Sequence, residues 1–170
     1  EVKTGAWGGG ASIGFEEFLD GHINMSDVYD LVLEGLDEAV YREIAKALYA
    51  MANETNFNPL NKGSVAGFDE QEFDRLLSTA DAYGQSTIYC TFEFAATMKP
   101  ASGMWSDGMK EEVWNNGYFT TYKRHRVIVL PQSFEDADNA TKVLDPRFAY
   151  IIPTGAEKPV KVAFEGQTAV

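Results

Sequence analysis

The sequence has few of the residues that form covalent cross-links and metal sites, with one cysteine and two histidines in 170 residues. Cys90 has no second cysteine to pair with, and the apolar stretch TIYCTFEF around it predicts a small buried side chain. His22 and His125 are far apart, and neither belongs to a ligand spacing typical of zinc. A disulfide framework is therefore excluded, and no metal site is expected.

Positive charge and long apolar runs are also scarce. The chain has 14 lysines and arginines against 26 acidic residues, a net charge of −12, which excludes the basic surface typical of nucleic-acid-binding proteins. No apolar run is long enough to span a membrane. The hydrophobic content of 45% and the aromatic content of 13% exclude a disordered chain and suit one domain, or two lobes that share a core.

The segment most similar to a nucleotide-binding motif is GAWGGGASIG at positions 5–14. A phosphate-binding loop requires a lysine where Ala11 stands, and the dinucleotide pattern requires a glycine where Ile13 stands. We therefore interpret this segment as a mobile connection in which Trp7 is the one large anchor. Because the sequence begins with Glu1, we expect it to be a fragment or a processed product.

A long amphipathic helix is the strongest periodic signal. Apolar residues return at steps of three and four from Ser26 to about Met51, and Ser26 or Asp27 is expected to cap the first turn. At 1.5 Å per residue such a helix is nearly 40 Å long, more than a compact domain of this size ordinarily needs. We therefore expect part of its burial to come from other subunits.

Shorter elements follow. FDEQEFDRLLSTADAYG predicts a helix capped at Asp69 and closed by Gly84. The next apolar residues alternate over 88–94 as in a strand, although EFAATM is also compatible with a helix. The boundary between strand and helix therefore stays open.

The last third of the chain predicts one helix and four strands. Residues 106–116 form the helix, with Met109, Val113 and Trp114 facing inward. YFTTYKRHRVIVLP predicts two strands around a charged turn, and FAYIIPTGAEKPVKVAFEG predicts two more around positions 154–158. The predicted class is α+β, without repeats or regular βαβ alternation.

Clusters of chemically active residues give no catalytic pattern. Glu135, Asp136 and Asp138 lack the glycine and the final glutamate of a calcium loop, so we interpret them as a solvated loop. No serine has the G-x-S-x-G setting of a nucleophile. We expect no catalytic residue, no metal and no cofactor.

The one basic cluster comprises Lys123, Arg124, His125 and Arg126 on the predicted turn. One interpretation is a solvated hairpin tip. The alternative is a contact with an acidic neighbouring subunit, in which complementary charge sets the register.

The order of these segments resembles that of major capsid proteins of tailed bacteriophages and prophages, which have the Hong Kong 97 fold. The resemblance covers roughly residues 16–166. It is carried by the long-helix segment EEFLDGHINMSDVYDLVLEGLDEAVYREIAKALYA and above all by GYFTTYKRHRVIVLPQSF and DPRFAYIIPTGAEKPVKVAFEG. Where many members of that family have a glycine in the turn before the VIVLP strand, this chain has Arg124 and His125.

The resemblance implies a division of the chain into domains. Residues 1–64 would contain a remnant of the extended loop and the long spine helix of the peripheral (P) domain. Residues 65–152 would form the axial (A) domain of sheet and helices, and residues 153–170 would return toward the P domain. The glycines of positions 5–14 would then give the loop its flexibility during assembly.

The implied function is structural, that of a non-enzymatic head protein. Copies of the chain would assemble as hexamers and pentamers into an icosahedral shell around double-stranded DNA, which is packaged without sequence-specific contact. A scaffold or a maturation protease is a further expected partner, and a membrane is not. The expected location is the virion, or the bacterial cytoplasm during assembly. The expected subunit-interface residues are Trp7, Lys123, Arg124, His125 and Arg126.

Two other functions stay open. An encapsulin-like compartment has the same fold, and a cargo-enzyme gene beside this one would favour it, whereas terminase, portal and protease genes would favour a virus. A small hydrolase is the other alternative, because residues scattered in the sequence can meet in the fold. Loss of activity on substitution of one serine or carboxylate would support it.

Overall fold

The computed structural model describes residues 12, 14, 16, 19–21, 24–99, 105–135, 138–154 and 162. These residues fall into two units: one contains those up to Ala50 together with residue 162, and the other contains those within Met51–Pro159. Most of the glycine-rich segment, including Trp7, lies outside the described residues, as does the strand predicted after Thr154. The described part contains four α-helices and one small mixed sheet, so the α+β class is confirmed.

The first helix, α1, covers Met25–Asn53, and the prediction of one long helix here is confirmed. The predicted cap was wrong by two or three positions, because Asn24 caps the helix. Its Oδ1 atom accepts from the backbone N–H groups of Ser26, at 2.7 Å, and Asp27, at 3.1 Å. The Asp27 carboxylate in turn accepts from the Asn24 N–H, so Asn24 and the first turn satisfy each other's N–H donors reciprocally.

The second helix, α2, covers Glu70–Asp81 and begins at the predicted cap, since Asp69 accepts from the Glu72 N–H at 2.9 Å. Arg75 on this helix also fixes the preceding segment. Its guanidinium donates to the carbonyl oxygens of Leu60 and Lys62 and to the Glu72 carboxylate. This contact with Arg75 lowers the pKa of Glu72.

Strand β1 covers Ser86–Cys90, and helix α3 follows at once over Phe92–Thr97. The boundary left open by the sequence is therefore at Cys90, where the strand ends. Thr91 caps α3, because its hydroxyl accepts a hydrogen bond from the Phe94 N–H at 3.3 Å. Cys90 is buried, as predicted, and burial raises the pKa of its thiol to about 11.

Helix α4 covers Asp107–Asn116, and it ends at Gly117, whose φ of 81° is the left-handed conformation that glycine favours at a helix end. The prediction that Trp114 faces inward was wrong, since its side chain is 86% exposed. Met109 and Val113 lie one turn apart and are half-buried, whereas the next residue is rotated by about 100° around the axis. That rotation turns Trp114 to solvent.

Three further strands complete the sheet: β2 (Thr121–Tyr122), β3 (His125–Val129) and β4 (Ala149–Pro153). The strand order is β2-β3-β1-β4. The β1 and β3 strands are parallel, and both β2–β3 and β1–β4 are antiparallel. Strand β1 therefore lies inside the sheet, bonded on both sides.

The core lies where α2 and α3 pack against this sheet. Phe73 makes ring contacts with Phe68 and Tyr122 at centroid distances of 5.3 and 5.4 Å. Ile88 is fully buried at the middle of β1, opposite Val127 of β3. The buried cluster consists of Phe73, Leu77, Ile88, Cys90, Ala95, Met98, Tyr122 and Val127.

Candidate functional site

The basic turn predicted from the sequence joins β2 to β3 and has an unusual backbone. Lys123 and Arg124 are its two central residues, and both have positive φ values, 41° and 71°. Two-residue hairpins of this kind usually contain Asn-Gly, because a residue with a Cβ loses roughly 1–2 kcal/mol in the left-handed region. The chain therefore forms a glycine-type turn without glycine, and other contacts must offset the strain.

Acidic side chains of α2 supply those contacts. The Lys123 Nζ atom is 2.7 Å from Glu70 Oε1 and also contacts the carboxylate of Asp74. These bonds, to Asp74 first and then Glu70, raise the pKa of Lys123. The Arg124 Nη2 atom donates to Asp81 Oδ2 at 2.7 Å. The turn is thus bound to one helix of its own chain by charge.

His125 is the next residue and is buried, with 4% of its surface exposed. Its Nδ1 atom lies 3.2 Å from the carbonyl oxygen of Ser86 and 3.0 Å from the Ser86 hydroxyl. Because a carbonyl only accepts hydrogen bonds, Nδ1 carries the proton in this arrangement. The Nε2 atom is 3.5 Å from Asp81 Oδ2.

Asp81, Ser86 and His125 therefore bring together the residue types of a hydrolase triad. Their geometry does not suit a nucleophile, because the Ser86 hydroxyl donates directly to Asp81 at 2.8 Å and the side chain is only 1% exposed. No substrate can reach that oxygen in this structure. The carboxylate of Asp81 accepts from Arg124 and from Ser86, and these bonds lower its pKa. The three residues join α2, β1 and the start of β3.

The predicted interface residues thus differ in exposure. The side chains of Lys123, Arg124 and Arg126 lie at the surface, whereas His125 is enclosed by its own chain. Within the described residues, Arg126 makes no ion pair. Sequence reasoning missed Asp81 and Ser86, since nothing in their spacing shows that they meet a histidine about forty positions later.

Tyr122, at the start of the turn, makes the stability of this unit sensitive to alkali. Burial, with the nearby Asp74 carboxylate, raises the pKa of Tyr122 from 10.0 to about 12. The stabilisation that comes from this pKa shift is complete below about pH 10, and it is lost as pH rises through the pKa of Tyr122 in the folded protein. We expect the free energy of unfolding to fall by on the order of 2 kcal/mol between pH 10 and 12, measured by urea unfolding.

The variant Tyr122→Phe has no titrating group at position 122, so its free energy of unfolding should depend much less on pH in this range. Deprotonation of Lys123 also lowers the free energy of unfolding as pH rises, because the pKa of Lys123 is likewise raised in the folded protein. Tyr83→Phe is the matched control, since that tyrosine is 64% exposed and lies outside the core. An equal alkaline loss in Tyr122→Phe and in the parent protein would contradict this account.

The second notable surface is one side of α1. Steps of three, four or seven residues place six apolar side chains on it, here called the apolar stripe. The first four are 66%, 64%, 42% and 37% exposed. The stripe comprises Met25, Tyr29, Leu33, Leu36, Val40 and Ala47.

A different side of α1 is acidic. Four exposed carboxylates follow steps of three and four residues, centred about 120° around the axis from the stripe at 100° per residue. This acidic face comprises Asp27, Asp30, Glu34 and Asp37. Asp30 and Glu34 are like charges one turn apart, which destabilises a helix slightly.

No group of histidine, cysteine and carboxylate side chains in the described ranges could hold a metal ion. Among those residues there is also no helix with the length and hydrophobicity needed to cross a bilayer. What the described residues do offer is a charged turn bound to α2 and an uncovered apolar helix side.

Comparison with known families identifies the protein class as a prophage capsid protein. A sequence-family model with the description "YonB: SPbeta prophage-derived putative capsid protein YonB" matches residues 1–170, and the chain belongs to this family. The match confirms the coarser prediction of a prophage capsid protein. Neither the curated proteins nor the solved structures contain a match to the chain.

Proposed function

We propose that the protein is the major capsid subunit of a prophage and that it self-assembles into an icosahedral shell. The proposal includes the Hong Kong 97 fold, with α1 as the spine of the P domain, residues 65–152 as the A domain and residues 153–170 returning toward the P domain. Membership of a prophage capsid family over the whole chain supports a structural role.

The observation that carries the proposal is the exposure of α1. This helix has 29 residues, and Ala45 is its one buried side chain. Helices in proteins gain most of their stability from packing an apolar side, and large exposed apolar patches mark sites of protein contact. Large side chains of the apolar stripe such as Met25 and Tyr29 lie mostly in solvent within a single copy. Neighbouring subunits in a shell would cover them.

The basic turn contributes a smaller part to the proposed contacts. Arg124 is already bonded to Asp81 but remains largely exposed, and Arg126 is exposed beside it on β3. With a net charge of −12, each copy repels the next, so basic side chains at an interface would help to set the register.

Trp7 stays a proposed interface residue. A scaffold or a maturation protease, and packaged DNA without sequence-specific contact, complete the proposed partners in the virion.

Electron microscopy and light scattering of the intact gene product test this proposal. We expect closed, hollow particles of uniform diameter, because a closed shell covers the exposed side of α1 in every copy. A gene product that stays monomeric at high concentration would overturn the proposal. Particles purified from an induced host should contain double-stranded DNA, whereas particles filled with an enzyme would favour a compartment.

A further inference from the structure

Two buried side chains fix the ends of the β2–β3 turn. Tyr122, directly before it, is 3% exposed, and His125, directly after it, is hydrogen-bonded to Ser86 of β1. The two residues between them, Lys123 and Arg124, are exposed. The backbone of the turn can therefore change its conformation while both of its ends stay fixed to the folded sheet.

The hydrogen bond that closes the turn follows from the pairing of the strands. Val127 donates its N–H to the Thr120 carbonyl at 2.9 Å, so these two residues form a hydrogen-bonded pair. Bonded and non-bonded pairs alternate between antiparallel strands, and Tyr122 pairs with His125 two positions nearer the turn. The His125 N–H therefore donates to the Tyr122 carbonyl, and it is protected from exchange with water while the turn is closed.

Two opposing contributions of similar size decide whether the turn stays closed. Two successive residues with a Cβ in the left-handed region disfavour the closed form. The ion pairs of Lys123 with Glu70 and Asp74, and of Arg124 with Asp81, favour it, although the two basic side chains are 45% and 79% exposed. Because ion pairs with such exposure contribute little each, the three together do little more than offset the strain.

We propose that the β2–β3 turn is a salt-sensitive clasp. The ion pairs to α2 keep the clasp closed, and it opens locally when salt screens them, while the rest of the sheet stays folded. The closed clasp holds Lys123 and Arg124 on carboxylates of their own chain. The open clasp adds both cations to the exposed Arg126, so the basic charge that this end of the sheet offers depends on the state of the clasp. This inference goes beyond the proposed function and does not depend on assembly, because every contact of the clasp lies within one chain.

Hydrogen exchange of the His125 amide in the full chain, followed by NMR at one pH and one temperature, measures the opening. The concentration of NaCl is raised from about 0.05 M to about 1 M, which screens partly exposed ion pairs. We expect exchange at His125 to become about tenfold faster, because the contributions of three such pairs are lost. The amides of β1 are the internal control, since that strand is bonded on both sides and its exchange should change much less.

Removal of the carboxylates should have the same effect as salt. In the double variant Glu70→Gln/Asp74→Asn, the Lys123 ammonium loses both of its charged partners, so the His125 amide should exchange several-fold faster at low salt. Asp107→Asn is the matched control, because it removes an exposed ion pair within α4 and should leave exchange at His125 unchanged.

A turn without strain tests the other contribution. Asparagine and glycine adopt the left-handed region readily, so the double variant Lys123→Asn/Arg124→Gly should stay closed without any ion pair to α2. We expect its His125 amide to exchange at nearly the same rate at low and at high salt.

Three results would overturn the clasp. If salt accelerated exchange equally at His125 and in β1, the opening would be global unfolding. An unchanged rate at His125 in Glu70→Gln/Asp74→Asn would show that the ion pairs do not hold the turn. A salt effect in Lys123→Asn/Arg124→Gly as large as in the parent chain would show that strain has no part in it. The salt experiment on the parent chain needs no substitution, so it decides the matter even where a variant fails to fold by circular dichroism.

Discussion

Replacement of Ile88 by alanine is expected to lower the free energy of unfolding by about 3–5 kcal/mol, the upper part of the range for buried isoleucine. Ile88 is 0% exposed and lies on the inner strand β1, opposite Val127 on one side and Ile151 on the other. Neighbouring strands hold the backbone on both sides, so the cavity left by the lost atoms cannot easily collapse. Urea unfolding followed by circular dichroism measures the change.

Two related variants give the scale for this effect. Ile88→Val removes one methylene and should lose about 0.5–1.5 kcal/mol. Ile128→Ala, on the adjacent strand β3, alters a half-buried isoleucine and should lose clearly less than Ile88→Ala. If Ile88→Ala and Ile128→Ala lowered the free energy of unfolding by the same amount, the core would not be centred on Ile88.

Particle formation should be abolished by Leu36→Asp. Leu36 lies near the middle of the apolar stripe, and a subunit contact there would bury the new carboxylate at an expected loss of several kcal/mol per contact. Because each 1.4 kcal/mol is about tenfold in an association constant, assembly should fall by at least about a hundredfold. Light scattering and electron microscopy measure it.

Leu31→Asp provides the matched control. Leu31 lies on the same helix and is 63% exposed, but it faces a different side from the stripe. We expect Leu31→Asp to form particles at close to the normal yield, while circular dichroism shows the same helix content in both variants. Equal assembly of the two variants would show that the stripe is not a subunit contact, and equal loss would point to general repulsion by added negative charge.

Much of the local structure could be predicted from the sequence because it depends on short-range physics. The period of the apolar residues defined α1, and Asp69 and Gly117 marked the limits of two helices as their capping chemistry requires. The cap of α1 was predicted at Ser26 or Asp27 because several residue types there can accept a hydrogen bond. The position of each side chain relative to the free N–H groups decides which one accepts. Asn24 lies directly before the first helical residue and accepts from the N–H groups of Ser26 and Asp27.

Spatial clusters were harder to predict. Nothing in the spacing of Asp81, Ser86 and His125 shows that they meet, because the parallel pairing of β1 with β3 brings them together. The basic turn was recognised as charged, but its sequence did not show that Lys123 pairs with Glu70 and Asp74 of helix α2 in the same chain. Ion pairs within one chain and between chains look alike in a sequence.

The edges of the sheet have a consequence for the way in which copies of this chain can associate. In the described part of the chain, one edge is β2, which is only two residues long, and the strand at the other side, β4, finishes at Pro153, which has no N–H to donate. Short or proline-ended edges are poor templates for strand addition. Within the described residues, the edges of the sheet are therefore a poor template for joining copies of this chain into amyloid-like fibres.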